Sequence, residues 1–498
     1  MIRRRFISES FIYTLTGALP LASGLVLLPF YTNWLTSDQF GLLALYIAIT
    51  MFMQVTFNFG FDNFAGISYI DNKNNPEARR EMMGTIVVTL LMTGAIVLFA
   101  SLLLGYPVFE VFNRSGSEKT RLLFFPYGLM AVVTAFFNSM FKTYTSLLIY
   151  RQMPGRYIFM NIFNFVLTLV ISISWLSLDK YSLDGPMWGR LLSGSGIFLL
   201  SLFFFRKEFG LHFSSRHIRT FARFCTFLVF YQLLSWTLSY IDRFVIGSYL
   251  SPTDVAVFDF AFKCLVVIEF LQNGLSSAII PGVFSHWSGT GDRQGYTDVR
   301  RYFNGFSAVT VLAIPLYAIT LPFLVPLIVK QPVYFDAFRF LPILGLGYMF
   351  LCLRQIYSFP LLAKKRSDLL TRAFAWSALV QLLVTVIAVK YFGLWGAVWA
   401  TLVTKPFQVY FMYRQSRKIM SLHLSWYKQV LLPLLVTIAV ILSYVVFTPD
   451  RYLAIMAASS AVSLLLTWFF YRKEIPEFYH SFRKALTPEF LSKKTNPN

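Results

Sequence analysis

Long apolar stretches separated by short polar loops form the dominant pattern along this chain. Fourteen such segments can be marked off, and each is close to the roughly 20 apolar residues that a helix needs to cross a bilayer. The pattern therefore predicts an all-α polytopic membrane protein with about 14 transmembrane helices. The segments span about 9–32, 41–63, 84–105, 122–147, 157–177, 186–205, 221–248, 254–284, 302–328, 338–362, 369–391, 394–413, 429–447 and 452–471.

The distribution of Lys and Arg predicts how these segments are oriented. Thirty of the 44 basic residues lie at the amino terminus, in the even-numbered loops and in the tail, whereas only eight lie in the odd-numbered loops. Cytoplasmic loops of membrane proteins carry the excess of Lys and Arg. Both termini are therefore predicted to lie on the cytoplasmic side (N-in, C-in).

The composition supports a membrane protein and excludes several other classes. The 498 residues are 56% hydrophobic and only 13% charged, which is typical of a chain largely solvated by lipid. The net charge of +21 is divided among short clusters between apolar segments, so no nucleic-acid partner is expected. The three cysteines lack CxxC spacing, the five histidines lack metal-ligand spacing, and no GxxxxGK[ST] motif is present. No metal site, disulfide framework or nucleotide cofactor is therefore predicted.

Ionisable residues lie inside the apolar segments, where a charge costs at least a few kcal/mol and is a functional candidate by default. Asp259 and Lys263 are four residues apart, so they share one helix face and are expected to pair. An alternative is that the charges of segments 7 and 8 only neutralise one another and hold two helices together. Basic residues outnumber acidic ones, so the interior is expected to be net positive. The set comprises Lys142, Arg190, Arg243, Lys263, Arg354 and Lys405, with Asp62, Asp242, Asp259 and Glu269.

Weak internal similarity predicts that the chain consists of two related halves. Three pairs of stretches match in order and at the same point of the topology: NWLTSD with SYLSPT, RQMP with KKRS, and MWG with LWG. Two six-helix halves are therefore predicted, about 1–220 and 221–413, followed by two extra helices and a tail in 414–498. Repeats of this kind in transporters place the substrate site between the halves.

The stretches Leu35–Leu42 (LTSDQFGL) and Tyr240–Tyr249 (YIDRFVIGSY), together with the helix count and the charged seventh segment, resemble a known group. They are similar to the polysaccharide-transporter (O-antigen flippase) family of the multidrug/oligosaccharidyl-lipid/polysaccharide exporter superfamily. The resemblance implies transport of an undecaprenyl-diphosphate-linked oligosaccharide, such as an O-antigen unit of lipopolysaccharide, from the inner to the outer leaflet of a bacterial inner membrane. It also implies a cavity that opens alternately to each side.

The implied substrate gives the charged residues candidate roles. Lys and Arg are the side chains that bind phosphate oxygens, so Arg243, Lys263 and Arg354 are expected to contact the diphosphate directly. Lys142 and Lys405 are further candidates, with snorkelling toward the inner surface as the alternative, and Arg190 is expected to snorkel outward. Aromatic residues such as Tyr240 could stack on sugar rings, with lipid-facing packing as the alternative.

The acidic residues are candidates for ion coupling or for charge pairs. Glu269 has no partner three or four residues away, so it is the preferred site for a coupling proton or sodium ion, with a protonated structural carboxyl as the alternative. Asp242 and Asp259 are candidates for the same two roles. Asp62 could also cap a helix or face the cytoplasm.

Two other functions stay open beside the flippase. A drug/cation antiporter of the same superfamily would favour an acidic cavity, and a membrane glycosyltransferase or polymerase would need a larger outer loop than this chain has. The chain is therefore not expected to be an enzyme. Its expected partners are the lipid-linked oligosaccharide and membrane lipids, with other polysaccharide-assembly membrane proteins as candidates.

Overall fold

The computed structural model describes residues 19–72, 74–115, 120–214, 218–288, 293–364, 366–420, 422, 424–447, 451–472 and 476. The basic amino-terminal residues and most of the predicted tail lie outside these ranges. Within them the chain is helical with no β-strand, and ten helices are long and apolar enough to cross a membrane. The all-α multi-pass prediction is confirmed, whereas the N-in, C-in orientation and the boundaries of the two halves stay predictions.

Helices lie in all fourteen predicted segments, and we number them α1 to α14 accordingly. Two of them are broken, so α1 comprises Leu19–Val26 and Leu28–Trp34, and α2 comprises Ser37–Asn58 and Phe61–Asp71. The next six are α3 Pro76–Ser115, α4 Leu129–Tyr150, α5 Pro154–Leu178, α6 Asp184–Phe209, α7 Ile218–Tyr249 and α8 Pro252–Ser288. They are followed by α9 Arg293–Ile328, α10 Leu341–Ala363, α13 Leu432–Val446 and α14 Tyr452–Tyr471. Residues Ser367–Ser416 contain both α11 and α12.

Glycines mark the two sharpest breaks. In α2, Gly60 has φ +79° directly after Phe59 with φ +47°, and in the long helix 367–416, Gly393 has φ +59° and separates α11 from α12. A residue without a Cβ adopts these left-handed conformations with little strain. The break at Gly60 places Asp62 at the start of a new helical piece, in its first turn.

The helices pack as two groups that meet along α2. In the first group, α2 and α6 pack on α4, and α5 packs on α6. In the second group, α7 and α10 pack along the α11–α12 helix, and α9 packs on α8 and α10. Helices α13 and α14 pack on each other, and α14 lies on α9. Because α2 contacts both α7 and α8, any space between the groups is bounded by these three helices.

Polar contacts join the predicted outer ends of the two groups. The Thr253 hydroxyl donates to Asp38 Oδ1 at 2.6 Å, the Asn33 side-chain amide donates to the Ile328 carbonyl at 2.8 Å, and the Lys330 backbone N–H donates to Asn33 Oδ1 at 2.8 Å. These bonds tie the α1–α2 turn to the start of α8 and the end of α9. The predicted outer side is therefore held closed in this structure.

Gly41 permits a close approach between the groups. A Cβ added at Gly41 would lie 1.8 Å from the Pro252 carbonyl oxygen, a separation that no real Cβ shows. The first turn of α2 can therefore touch the start of α8 only because residue 41 has no side chain.

Candidate functional site

Two adjoining cavities lie between the helix groups. The charged cavity, of about 310 Å³, is lined mainly by α7, α8, α10 and α12. The amide cavity, of about 730 Å³, is lined by α2, α4, α5, α6 and α7. The two share the wall residues Met51, Arg190, Ser239 and Tyr240. They therefore form two parts of one polar space that spans the boundary between the groups.

The centre of the charged cavity is a carboxylate that binds two cations. Arg243 Nε donates to Asp259 Oδ1 at 2.6 Å, and Lys263 Nζ lies 2.8 Å from Asp259 Oδ2. Arg243 also donates to the Ser239 carbonyl at 2.8 Å. Because Asp259 carries one negative charge, this three-residue cluster is net positive. The spacing predicts the Lys263 contact, but it does not predict that Arg243 shares the same carboxylate.

Asp242 lies on the same helix as Arg243 but faces a different set of partners. Its Oδ1 accepts hydrogen bonds from Gln381 Nε2 at 2.8 Å and from the Thr385 hydroxyl at 3.0 Å. Gln381 is in turn held by the Thr404 hydroxyl, which donates to its Oε1 at 2.5 Å. Asp242 therefore links α7 to α11 and α12 through neutral donors, with Lys405 near enough for an electrostatic interaction.

Glu269, Arg354 and Lys405 also line the charged cavity, and none of the three has an ion-pair partner within 4 Å among the described residues. They interact electrostatically at longer range. The Arg354 guanidinium lies over the Phe374 ring, 5.2 Å from its centroid. Arg354 and Lys405 therefore have hydrogen-bond donors that remain available to an anion in the cavity.

Lys142 and Asp62 lie together in the amide cavity. Lys142 Nζ is 3.1 Å from Asp62 Oδ2, and the Asp62 side chain is only 7% exposed. Asp62 therefore forms a charge pair in the cavity wall, which is one of the roles expected for it, and its position relative to the cytoplasm stays a prediction. The structure separates this pair from the charged cavity, so the nine candidate residues other than Arg190 are divided seven to two between the cavities.

Arg190 is placed differently from the sequence-based expectation. The sequence predicts that it extends to the outer surface, but its side chain lies on the wall shared by the two cavities. Its Nε atom is buried and has no hydrogen-bond partner among the described residues. Arg190 is therefore a further cation of the site.

Comparison with known proteins assigns the chain to a family. A family model described as "Polysaccharide biosynthesis protein" matches residues 7–287. The chain belongs to this family of polysaccharide biosynthesis proteins. No curated protein matches it by sequence.

Solved structures of transporters share the fold of this polysaccharide biosynthesis family member. The lipid II flippase MurJ in an inward closed conformation has a TM-score of 0.69 at 16% identity, over 93% of this chain and 99% of that chain. The MATE multidrug transporter DinF-BH has a TM-score of 0.64 at 13% identity, over 84% and 96%. An inward-facing MATE family transporter of the MOP superfamily has a TM-score of 0.60 at 13% identity, over 84% and 94%. The chain therefore shares the fold of these transporters, as the sequence predicts.

In this member of the family, five cations and three carboxylates line the charged cavity. Lys and Arg provide charge-assisted hydrogen bonds to phosphate or carboxylate oxygens, and such bonds are about twice as strong as neutral ones. The geometry therefore suits an anion better than a cation. Among the described residues no group of three or more His, Cys, Asp or Glu side chains could hold a metal ion.

Sequence reasoning missed the neutral polar residues of the amide cavity and those that bind Asp242 behind the charged cavity. Gln381 and Thr385 bind Asp242, Thr404 holds Gln381, and six amide side chains line the larger cavity. Neutral Gln, Asn and Thr within apolar segments are too common to stand out singly. A search for amides at helical spacing would have found Asn161 and Asn164, which lie three residues apart on α5.

Proposed function

We propose that the chain is a flippase that moves a polyprenyl-diphosphate-linked oligosaccharide from the inner to the outer leaflet of a bacterial inner membrane. The observation that carries this proposal is the charged cavity, where Arg354 and Lys405 have no carboxylate within ion-pair distance among the described residues. A diphosphate must cross about 30 Å of hydrocarbon, and it needs such a cationic, wet path.

Alternating access would move the substrate between the two leaflets. The hydrogen bonds from Thr253 to Asp38 and from Asn33 to Ile328 hold one end of the helix groups together. At the other end, the lining of the amide cavity reaches Ile149 and Tyr157, which flank the α4–α5 turn. Substrate would enter beside this turn, and separation of the outer contacts would then release it on the opposite side.

A proton or sodium ion is the proposed source of energy for this cycle. Glu269 is the preferred coupling residue, because it is a carboxylate on the wall of the charged cavity without an ion pair among the described side chains. Binding of a cation to Glu269 would change the charge that Arg354 and Lys405 experience. The same step would therefore alter the affinity of the cavity for a phosphate group.

The direct test removes the protein and identifies what accumulates. In a deletion strain, mass spectrometry of the lipid fraction should show accumulation of a diphosphate-linked oligosaccharide, and surface polysaccharide should fall. Re-expression of the intact chain should reverse both changes. Normal lipid-linked sugars and normal surface polymer in the deletion strain would contradict the flippase proposal.

A drug/cation antiporter is the second candidate, and the fold shared with MATE multidrug transporters favours it. The excess of cations in the charged cavity disfavours a cationic substrate. The deletion strain separates these functions, because loss of an antiporter would increase sensitivity to cationic drugs and leave the lipid-linked sugars unchanged.

The orientation that the flippase requires can be tested by labelling. A cysteine at Asp179 should react with an impermeant thiol reagent in intact cells, and cysteines at the exposed positions Asn74 or Lys418 should react only after permeabilisation. The reverse pattern would invert the topology and with it the direction of transport.

A further inference from the structure

We infer that the amide cavity is the binding site for the sugar portion of the substrate, and that the sugars it accepts are uncharged. The inference rests on the proposed flippase function and adds to it a division of labour, in which the diphosphate occupies the charged cavity and the oligosaccharide occupies the larger one. Its volume of about 730 Å³ lies within the usual range of roughly 300–1,000 Å³ for small-molecule sites.

The two cavities differ in whether amide side chains line them. None of the described residues lining the charged cavity is Asn or Gln. An amide offers both hydrogen-bond donors and an acceptor, which matches a sugar hydroxyl that also donates and accepts. The larger cavity is lined by Gln54, Asn63, Asn138, Asn161, Asn164 and Gln232.

One of these amides, Gln232, retains unused hydrogen-bonding capacity. Asn161 donates to the Tyr157 carbonyl at 2.9 Å and Asn63 donates to Asp62 at 3.2 Å, so these two are held by their own helices. Gln232 differs, because its Oε1 is buried and has no partner among the described residues. A buried polar atom without a partner is costly, so a rotation of the Gln232 side chain that turned Oε1 toward a ligand hydroxyl would stabilise this wall.

Aromatic rings complete the wall at the boundary between the cavities. Trp236 and Tyr240 lie with their rings nearly parallel, 6.2 Å apart at 22°. The Trp236 indole N–H donates to the Ala48 carbonyl at 2.9 Å, which fixes the ring against α2. Because the Arg243 guanidinium lies over the Tyr240 ring, 5.2 Å from its centroid, Trp236 is the ring of this pair that would offer an apolar face to the C–H surface of a sugar.

The charges of the amide cavity indicate uncharged sugars. Apart from Arg190 on the shared wall, the only charged side chains in the described lining are Asp62 and Lys142, which neutralise each other at 3.1 Å. Because Arg190 lies on the wall shared by the two cavities, it would contact the bond between the diphosphate and the first sugar. An acidic sugar deeper in the cavity would find no unpaired cation in the described wall.

Binding measurements with two ligands test the assignment. The purified full-length protein in lipid nanodiscs is titrated with undecaprenyl diphosphate, which has no sugar, and with the lipid-linked oligosaccharide extracted from the deletion strain. For the double variant N138A/Q232A we expect the Kd for the oligosaccharide lipid to rise about tenfold, because two neutral hydrogen bonds are lost. The Kd for undecaprenyl diphosphate should stay within about twofold of the wild-type value.

Matched controls separate binding from folding. Gln415→Ala removes another buried glutamine with an unpartnered Oε1, but this residue lines neither cavity. It should leave both affinities unchanged, and thermal unfolding of all variants reports any general loss of structure. Arg354→Ala should weaken both ligands, since both contain the diphosphate.

The outcomes distinguish the inference from the function on which it rests. Equal weakening of both ligands by N138A/Q232A, or no effect on either, would overturn the sugar-site assignment while leaving the flippase proposal intact. Failure of the wild-type protein to bind either ligand would instead reject the flippase proposal. Tighter oligosaccharide binding by Gln232→Lys would show that the sugars are acidic, which contradicts the uncharged class.

Discussion

The two cavities have opposite chemistry although they share a wall. The charged cavity contains Arg243, Lys263 and Asp259 in one ion cluster, whereas the amide cavity contains mainly neutral side chains and one ion pair. Charged groups in a medium of low dielectric interact strongly and are costly to unpair, while neutral amides can exchange partners with water or ligand at small cost. On the proposed assignment of the two cavities, affinity for the phosphate and selection among sugars should be separable by mutation.

The largest expected effect comes from removing the shared carboxylate of the charged cavity. Asp259→Asn leaves the cations of Arg243 and Lys263 close together without compensation, and breaking a buried ion pair costs about 3–5 kcal/mol in the free energy of unfolding. Lys263→Met leaves the Arg243–Asp259 pair intact and should cost clearly less. Thermal unfolding in detergent compares the stability lost in the two variants. Equal losses would show that the Asp259 carboxylate stabilises the fold only through its pair with Lys263.

The next effect concerns Arg354, a cation of the same cavity without an ion-pair partner among the described residues. Arg354→Met should lower transport by about tenfold to a hundredfold, since a hydrogen bond to a charged group contributes about 1.5–3 kcal/mol. Arg354→Lys should retain part of the activity, because Lys provides charge without the planar fork of donors. Surface polymer is measured together with protein abundance. Loss of protein in step with loss of polymer would assign Arg354 to folding rather than to the substrate path.

A smaller effect is expected at Glu269, a carboxylate of the charged cavity with no ion pair among the described residues. Glu269→Gln removes a group that could bind a proton or sodium ion but keeps its shape, so we expect transport that no longer responds to an ion gradient. The test is flux into vesicles with and without an imposed proton or sodium gradient. If the variant still responds to the gradient as the wild type does, Glu269 is not the coupling residue. Asp242 would then be the next candidate.

The smallest effect is expected from the ion pair of the amide cavity. The double variant D62N/K142M removes both charges together, so no unpaired charge is left, and Lys142 is itself 42% exposed. Transport should fall by no more than about twofold, in line with the low value of partly exposed ion pairs. A loss as large as that of Arg354→Met would show that Lys142 binds phosphate and would remove the distinction between the cavities.

Several features could be read from the sequence because they depend on neighbours along the chain. Apolar length alone predicts all fourteen helices, since a bilayer forces each backbone to satisfy its own hydrogen bonds. The pairing of Asp259 with Lys263 follows from a spacing of four on one helix. The presence of ionisable residues inside apolar segments likewise indicates that the helices enclose a polar interior.

The partners between helices were decided only by the tertiary structure. Asp242 is bound by Gln381 and Thr385, which lie 139 and 143 residues away, and no local spacing connects them. Lys142 meets Asp62 because the break at Gly60 redirects α2, and Arg190 lies on the shared wall because α6 packs against α4. Hydropathy sets which residues enter the membrane, but the rotation and packing of each helix determine which of them share a cavity. The separation of amides from cations is therefore a property of the packed fold.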